Sequence, residues 1–365
     1  MTTARVVLHV GLPKTGTSFV QGTLRSNRAL LEEHGVHLPS ADGEPLFGAV
    51  LHLTGRAGSW GRSDDAGERT WAELVREARR RGGTTVVSSE TLCLASPAQV
   101  GRIVADLEGC EVHVVVSLRD PVRQLPAEWQ EGVKHGRRSS FAEFLGTVLA
   151  DPPPAKAGAR RTHDRFWRAQ DPLGVLDRWS SAVPRERVHV VTCPPAGAER
   201  DALWRRFATV LEVGHVPVEV PERQVNTSLG AAQTEVLRRV NKRVQRQGNE
   251  RTYGAVVKRL YAGTILRDQG GPRVVLPPEH RGRAVELAQG WARHVEERGH
   301  PVAGDLQDLV PAPTPEEQEE ADLAPRALLA VSLDATAELL REVERLREEL
   351  AQTRGGGRGR RAVGR

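Results

Sequence analysis

The sequence predicts an α/β fold, a parallel sheet flanked by helices with further helical additions toward the C-terminus. Three observations carry that prediction. Strand-like and helix-like stretches alternate through the first two hundred residues, the pattern of βαβ units. The strand candidate Glu111–Ser117, EVHVVVS, is mostly apolar, as a strand covered on both faces must be. The stretch Val6–Val20, VVLHVGLPKTGTSFV, passes from an apolar run through a glycine-bounded loop into a helical pattern. That geometry aims backbone N–H groups and a helix N-terminus at one point.

In chain order, the first strand is Val6–Val10 and the first helix covers about Thr17–His34. A short extended piece follows at Gly35–Pro39. Ser40–Gly67, rich in glycine, aspartate and small residues, reads as loop over the site. Trp71–Arg81 is amphipathic, with Leu74, Val75 and Ala78 on one face, and Thr84–Glu90 is a strand ending in polar residues. A helix at Pro97–Leu107 precedes the strand Glu111–Ser117, which ends at Leu118-Arg119-Asp120-Pro121. Helical patterns cover Val122–Val133 and Phe141–Leu149, the latter closed by Asp151-Pro152-Pro153-Pro154. Leu173–Val183 (helix), Arg187–Thr192 (strand), Ala202–Leu211, Leu229–Gln247 and Ala284–Arg298 (helices) complete the main body.

On this reading residues 1–310 form the α/β domain and 311–327 a proline-rich, acidic linker. An amphipathic helix follows at 328–353, and 354–365 is a basic tail too polar and glycine-rich to fold. Leu339, Val343, Leu346 and Leu350 are spaced four, three and four, which suits pairing with a second copy and equally packing back on the main domain.

The chain has 365 residues, with 52 basic against 47 acidic side chains, a formal net charge of +5. That suits an anionic ligand but is not the concentrated footprint of a specific nucleic-acid binder. Three cysteines, Cys93, Cys110 and Cys193, stand in no metal-ligand spacing. They read as reduced thiols, so a cytoplasmic location is expected. No apolar run approaches bilayer length.

The loop repays close reading. A nucleotide-binding P-loop is G-x-x-x-x-G-K-[ST]. Gly11, Gly16 and Ser18 keep that frame, but Thr17 occupies the lysine position and the lysine is Lys14, inside the loop. The frame still cradles phosphate, yet the cation comes from elsewhere and nothing presents magnesium. In an open α/β sheet, ligands bind beyond the carboxyl ends of the strands. Three such ends converge here: Gly11–Ser18, Ser88-Ser89-Glu90 and Arg119-Asp120-Pro121. They offer amides with a lysine, a carboxylate, and an arginine fork.

On these residues the sequence resembles the sulfotransferases that use 3′-phosphoadenosine-5′-phosphosulfate (PAPS), in their bacterial branch. Gly11-Leu12-Pro13-Lys14-Thr15-Gly16-Thr17-Ser18 is similar to that family's 5′-phosphosulfate loop, and Leu118-Arg119-Asp120-Pro121 to its 3′-phosphate motif. Asn226-Thr227-Ser228-Leu229-Gly230, and the stretch from Arg178-Trp179 to Val191-Thr192-Cys193-Pro194, also look like this branch. The resemblance covers about residues 5–245. It implies metal-free, in-line sulfuryl transfer from PAPS to a hydroxyl or amine of a carbohydrate, lipid or small-molecule acceptor.

Residue by residue, the resemblance implies that Pro13, Lys14, Thr15, Gly16, Thr17 and Ser18 hold the 5′-phosphate and Arg119 the 3′-phosphate. Lys14 would also stabilise the departing phosphate. Glu90 is the candidate base, with His52 and His135 as competitors; His9 and His113 read as strand residues. The family pairs its arginine with a serine eight residues later, where this sequence has Ala127; Arg123 or Gln124 are the candidate substitutes. Trp129 and Gln130 are candidates for the acceptor side or for core. The loops Ser40–Gly67 and Asp151–Asp171 are expected to shape the acceptor pocket. Two readings of other classes remain open: a P-loop kinase, which would need a magnesium site, and a non-catalytic nucleotide-binding protein acting through its C-terminal helix.

Overall fold

A computed structural model describes residues 4–221, 228–244, 253–310 and 323–359, the last six of these by their backbone alone. Asn226 and Thr227, most of the 311–327 linker and the end of the basic tail lie outside the described residues.

Six parallel strands form one sheet: β1 (Arg5–Gly11), β2 (Val36–His37), β3 (Thr84–Ser88), β4 (Glu111–Leu118), β5 (Val188–Thr192) and β6 (Val302–Ala303). Their order is β2-β3-β1-β4-β5-β6, and every pairing is parallel. The α/β class expected from the alternating pattern is therefore what the chain adopts. The chain leaves β1 toward one edge, returns through β3, then crosses to β4 on the other side of β1. The carboxyl ends of β1 and β4 thus flank the point where the strand order reverses, the place where such sheets bind ligands.

Helices cover both faces. Val6, Leu8 and Val10 of β1 and Val112, Val114 and Val116 of β4 point into one core. That core is shared with α3 (Glu44–Leu53), α4 (Asp64–Arg81), α5 (Pro97–Asp106), α9 (Pro172–Ser180) and α12 (Pro278–Arg298). Val7 and Val115 point the other way, against α1 (Thr17–Ser26), α2 (Arg28–Glu33) and α10 (Ala202–Leu211). The period of two in the strands explains why a nearly continuous apolar run was needed.

The remaining helices are α6 (Pro121–Lys134), α7 (Phe141–Val148), α8 (Ala157–Gln170), α11 (Ala231–Arg243) and α13 (Pro325–Gly359). A π-helical run also spans Tyr253–Leu266. The described residues fall into two compact units. The first comprises residues 4–125, 145–221 and 276–310, and holds the sheet. The second comprises residues 126–144, 228–244, 253–275 and 323–359, and is helical. Within it, Asn241 donates to the carbonyl of Val133 at 2.7 Å and Gln130 to that of Leu229 at 2.7 Å. No described helix is long and apolar enough to cross a membrane.

Four local expectations change. Ser40–Gly67 contains α3 and the start of α4, not one loop. Leu46, Ala49, Val50 and Leu53 are buried at helical spacing, with Pro45 in the first turn where its missing N–H costs nothing. One of the glycines that suggested a loop is a packing device: a Cβ on Gly67 would lie 2.7 Å from the Gly48 carbonyl, so the two helices cross there in close contact. Asp151–Asp171 contains α8, which buries Phe166 and Gln170 beneath an arginine-rich outer face. The single helix expected over Thr17–His34 breaks at Asn27, whose side-chain amide donates to Thr23 and Glu219 carbonyls at 2.8 Å each. The two-residue strand β6 was not anticipated, being too short to show a pattern.

His9, fully buried in β1, bridges its neighbours: one ring nitrogen lies 2.8 Å from the Ser88 hydroxyl and the other 2.8 Å from that of Ser117. Burial lowers its pKa from 6.5 to about 3. His189 in β5, stacked on His113 of β4, is lowered from 6.5 to about 4 by burial and by His113 and Arg5 nearby. Both are neutral in the fold but take up protons when unfolded below pH 6.5. Their contribution is complete above that value and is lost as pH falls toward 3–4. His9 alone should cost about 2–3 kcal/mol by about pH 4.5. Urea unfolding across this range should show the decline, and a shallower one in His9→Gln.

Candidate functional site

The loop between β1 and α1 is built from the strand outward. The β1–β4 register slips between His9 and Gly11, so Val10 is an extra residue and the strand bends as it ends. Gly11 then takes a left-handed conformation (φ 77°), and its side is filled: a Cβ there would sit 2.9 Å from the Cβ of Glu90. Only glycine permits both the turn and the close approach. Lys14 is also left-handed (φ 67°), as is Gly16 (φ 82°), with Thr15 in ordinary backbone between them. Such alternation produces the concave anion-binding backbone called a nest.

Five consecutive carbonyl groups of the loop are held from behind. Thr15 Oγ1 donates to the Leu12 carbonyl at 2.6 Å. Gln124 Nε2 reaches the Pro13 carbonyl at 3.2 Å and an Arg119 guanidinium nitrogen the Lys14 carbonyl at 3.2 Å. The Cys193 thiol donates to the Thr15 carbonyl at 2.9 Å. The Gly16 carbonyl accepts from the Phe19 and Val20 amides at 2.9 and 3.1 Å, starting α1. In a planar trans peptide the next N–H points opposite to the carbonyl. Holding the carbonyls of residues 13–16 on one side therefore turns the N–H groups of residues 14–17 to the other.

Helix α1 continues the same surface. Its N-cap is Gly16, which has no side chain to satisfy the first amides, and its first turn carries no acidic residue. No side chain of the cap or first turn therefore offsets the positive end of the helix. Ser18 is exposed at that end. The hydroxyls of Thr15 and Thr17 turn inward to the Leu12 carbonyl, Thr17 at the longer 3.5 Å. Of the three hydroxyls expected at a phosphate, that of Ser18 is the one on the outside.

The two flanking strand ends bracket the loop. Ser89 N–H donates to the His9 carbonyl at 3.0 Å, which carries the chain from β3 into a short 3₁₀ turn beginning at Glu90. Glu90 therefore stands beside Gly11, on the β3 side. Arg119, at the end of β4, touches the loop from the other side. Gln21 of α1 closes the β3 side through the Ser88 carbonyl at 3.1 Å. The residues singled out from sequence at these three ends, Pro13 to Ser18, Glu90 and Arg119, thus lie together at the carboxyl ends of β1, β3 and β4, with Thr15 and Thr17 turned inward.

Several side chains near the loop serve the protein itself. Asp120 is fully buried and caps α6, accepting from the Arg123 amide at 2.8 Å and also pairing with the Arg123 side chain. Arg123 additionally reaches the Pro194 carbonyl at 3.0 Å. Gln124 is divided between Pro13 and the buried Gln170. Both candidate substitutes for the serine missing at Ala127 are committed to structure. Within the helical unit, Trp129 is buried against Phe141 and donates to the Ser139 carbonyl at 3.1 Å. Gln130 is likewise taken up internally. His52 lies in α3, not a loop, 2.9 Å from Asp64, and His135 closes α6 at 3.0 Å from Glu131.

Cys193 was not marked as a site residue by sequence. Burial pushes its thiol up to about 12, so it stays a hydrogen-bond donor to the loop. Its signal was position alone, the residue after the last apolar strand of the first half.

Comparison with known proteins is sparse. No protein-family model matches the chain, and no curated protein matches it. A crystal structure of a sulfotransferase from Alicyclobacillus acidocaldarius superimposes with a TM-score of 0.40 and 18% identity, over 62% of this chain and 87% of its own.

Gly11→Ala forces a left-handed side chain against Glu90. The expected loss is about 2 kcal/mol or more, read from denaturant unfolding. A Ser18→Ala change, at an exposed position, should leave stability within about 0.5 kcal/mol.

Proposed function

We propose that this protein is a sulfotransferase, moving a sulfuryl group from PAPS to a hydroxyl or amine of a carbohydrate, lipid or small-molecule acceptor. The observation that carries the reading is the loop whose successive carbonyls are held from behind, with a lysine inside it and an arginine and a carboxylate on the flanking strand ends. The donor fits this donor set. A phosphate needs convergent N–H groups and a helix N-terminus whose first turn carries no carboxylate, and residues 14–18 are suited to that.

In this reading the amides of the loop and the start of α1, with the Ser18 hydroxyl, bind the 5′-phosphate. Arg119 contributes a fork to the 3′-phosphate. The reaction breaks the bond between sulfur and the bridging phosphate oxygen and forms one between sulfur and the acceptor atom. Negative charge grows on the departing phosphate, and the Lys14 ammonium offsets it. The proton of the acceptor passes to the Glu90 carboxylate, which acts as general base. Holding donor and acceptor in line supplies much of the remaining acceleration. With Ala127 in place of a serine, and Arg123 and Gln124 engaged elsewhere, the 3′-phosphate contact rests on Arg119. Replacing it with lysine, which lacks the planar fork, should weaken nucleotide binding by roughly tenfold.

Thermal shift with 3′,5′-bisphosphoadenosine in metal-free buffer is the first test: stabilisation is expected, and none with ATP and magnesium. The reverse pattern would favour a kinase. Turnover of labelled PAPS on a panel of sugar, lipid and phenolic acceptors follows. Lys14→Ala should lower turnover by about 10²–10³-fold. Glu90→Gln should lose turnover and keep bisphosphate affinity; full activity in that variant would place the base elsewhere. Binding without turnover on any acceptor would leave a nucleotide-binding module.

A further inference from the structure

Helix α13 leaves an apolar face uncovered. Leu329, Leu333, Leu340, Val343, Leu346 and Leu350 are 47–65% exposed, although Leu328 and Ala335 on the neighbouring face are buried within the helical unit. Gln269 fastens the buried side through the Val331 carbonyl at 3.3 Å. Scattered exposed leucines need no account, but a row of them along one helix marks an interaction surface.

The row has a heptad register. Taking Val343 and Leu350 as a positions makes Leu339 and Leu346 d positions, with Leu333 and Leu340 widening the stripe at e. At one of the two a positions, Val343, a β-branched residue stands with leucine at d, the combination that favours two parallel strands, while Leu350 fills the other. The flanking charges agree. In a parallel pair, a g residue faces the e residue five places later on the other helix. Glu342 at g then meets Arg347 at e of the second copy, an attractive pair on both sides of the seam. Antiparallel pairing would instead bring Glu342 beside Glu349, like charge against like. The intrahelical partner Arg345, which binds Glu342 at 2.7 Å, sits on the outer side and does not occupy the seam.

We infer that α13 pairs in parallel with α13 of a second copy of this chain, forming a short two-stranded coiled coil and a homodimer. The uncovered apolar side chains at Leu340, Val343, Leu346 and Leu350 and the self-complementary pair Glu342 and Arg347 lie in one stretch of the helix, beyond the part of the g line (Leu328, Ala335) that the helical unit buries. The inference is independent of the proposed chemistry.

Sedimentation velocity of the full chain should show a species of about twice the 39.9 kDa protomer mass at micromolar concentration. Val343→Glu/Leu346→Glu should weaken dimerisation on the order of 100-fold without lowering the melting temperature of the monomer, because both residues are exposed. Glu342→Arg should weaken it by a few-fold, and Glu342→Arg/Arg347→Glu should restore it. Orientation is read from Thr353→Cys in a Cys110→Ser background, which should form a disulfide dimer on mild oxidation. A monomeric wild-type chain, a dimer indifferent to the double glutamate variant, or a dimer that Thr353→Cys fails to cross-link would each overturn the proposal.

Discussion

The peptide carbonyls of the β1–α1 loop are held in place by groups from four separate parts of the chain. Thr15 acts within the loop, Gln124 from α6, Arg119 from the end of β4 and Cys193 from the end of β5. Each bond is modest, about 1 kcal/mol net for a neutral pair. Their combined effect is directional: the backbone cannot turn its carbonyls outward without breaking several of them at once. The amide face is thereby presented before any ligand arrives, which is what preorganised electrostatic binding requires.

The sheet makes this possible. β1 lies between β3 and β4, so the loop that leaves it is flanked by both neighbours' ends, and the bulge at Val10 aims it between them. His9 ties the same three strands together below the loop through Ser88 and Ser117. Its neutrality at physiological pH follows from burial, and it matters because a charged imidazole there would face two hydroxyls and a phenyl ring. At the far side, Thr192 joins β5 to the segment after β6: it donates to Asp308 at 3.1 Å and accepts from the Asp305 amide at 3.1 Å. This keeps the strand that carries Cys193 in position.

Much of this was legible in the chain. Strand, glycine-bounded loop and helix were readable at Val6–Val20 because periodicity and backbone conformation agree there. The flanking Glu90 and Arg119 were readable because strand ends in a parallel sheet share one edge. What escaped reading has physical causes. Helix α3 hid behind Gly43, which turns the chain in a left-handed conformation at its N-cap, and Gly48, whose carbonyl Gly67 of α4 approaches closely. Helix α8 was masked by its arginines, since only Phe166 and Gln170 turn inward firmly. The support of the loop by Gln124 and Cys193 depends on tertiary contacts across 111 and 178 residues, and no local pattern announces such partners. The same distance effect explains in part why Arg123 looked available: its bond to the Pro194 carbonyl spans 71 residues, whereas its pairing with Asp120 is local.

In the proposed function, the amide face of residues 14–18 is a phosphate site. A crystal structure of the protein with 3′,5′-bisphosphoadenosine tests it most directly. The claim predicts the 5′-phosphate within hydrogen-bond reach of the amides from Thr15 to Ser18, with the 3′-phosphate on Arg119. A nucleotide bound elsewhere, or a loop whose carbonyls have turned toward the ligand, would contradict it.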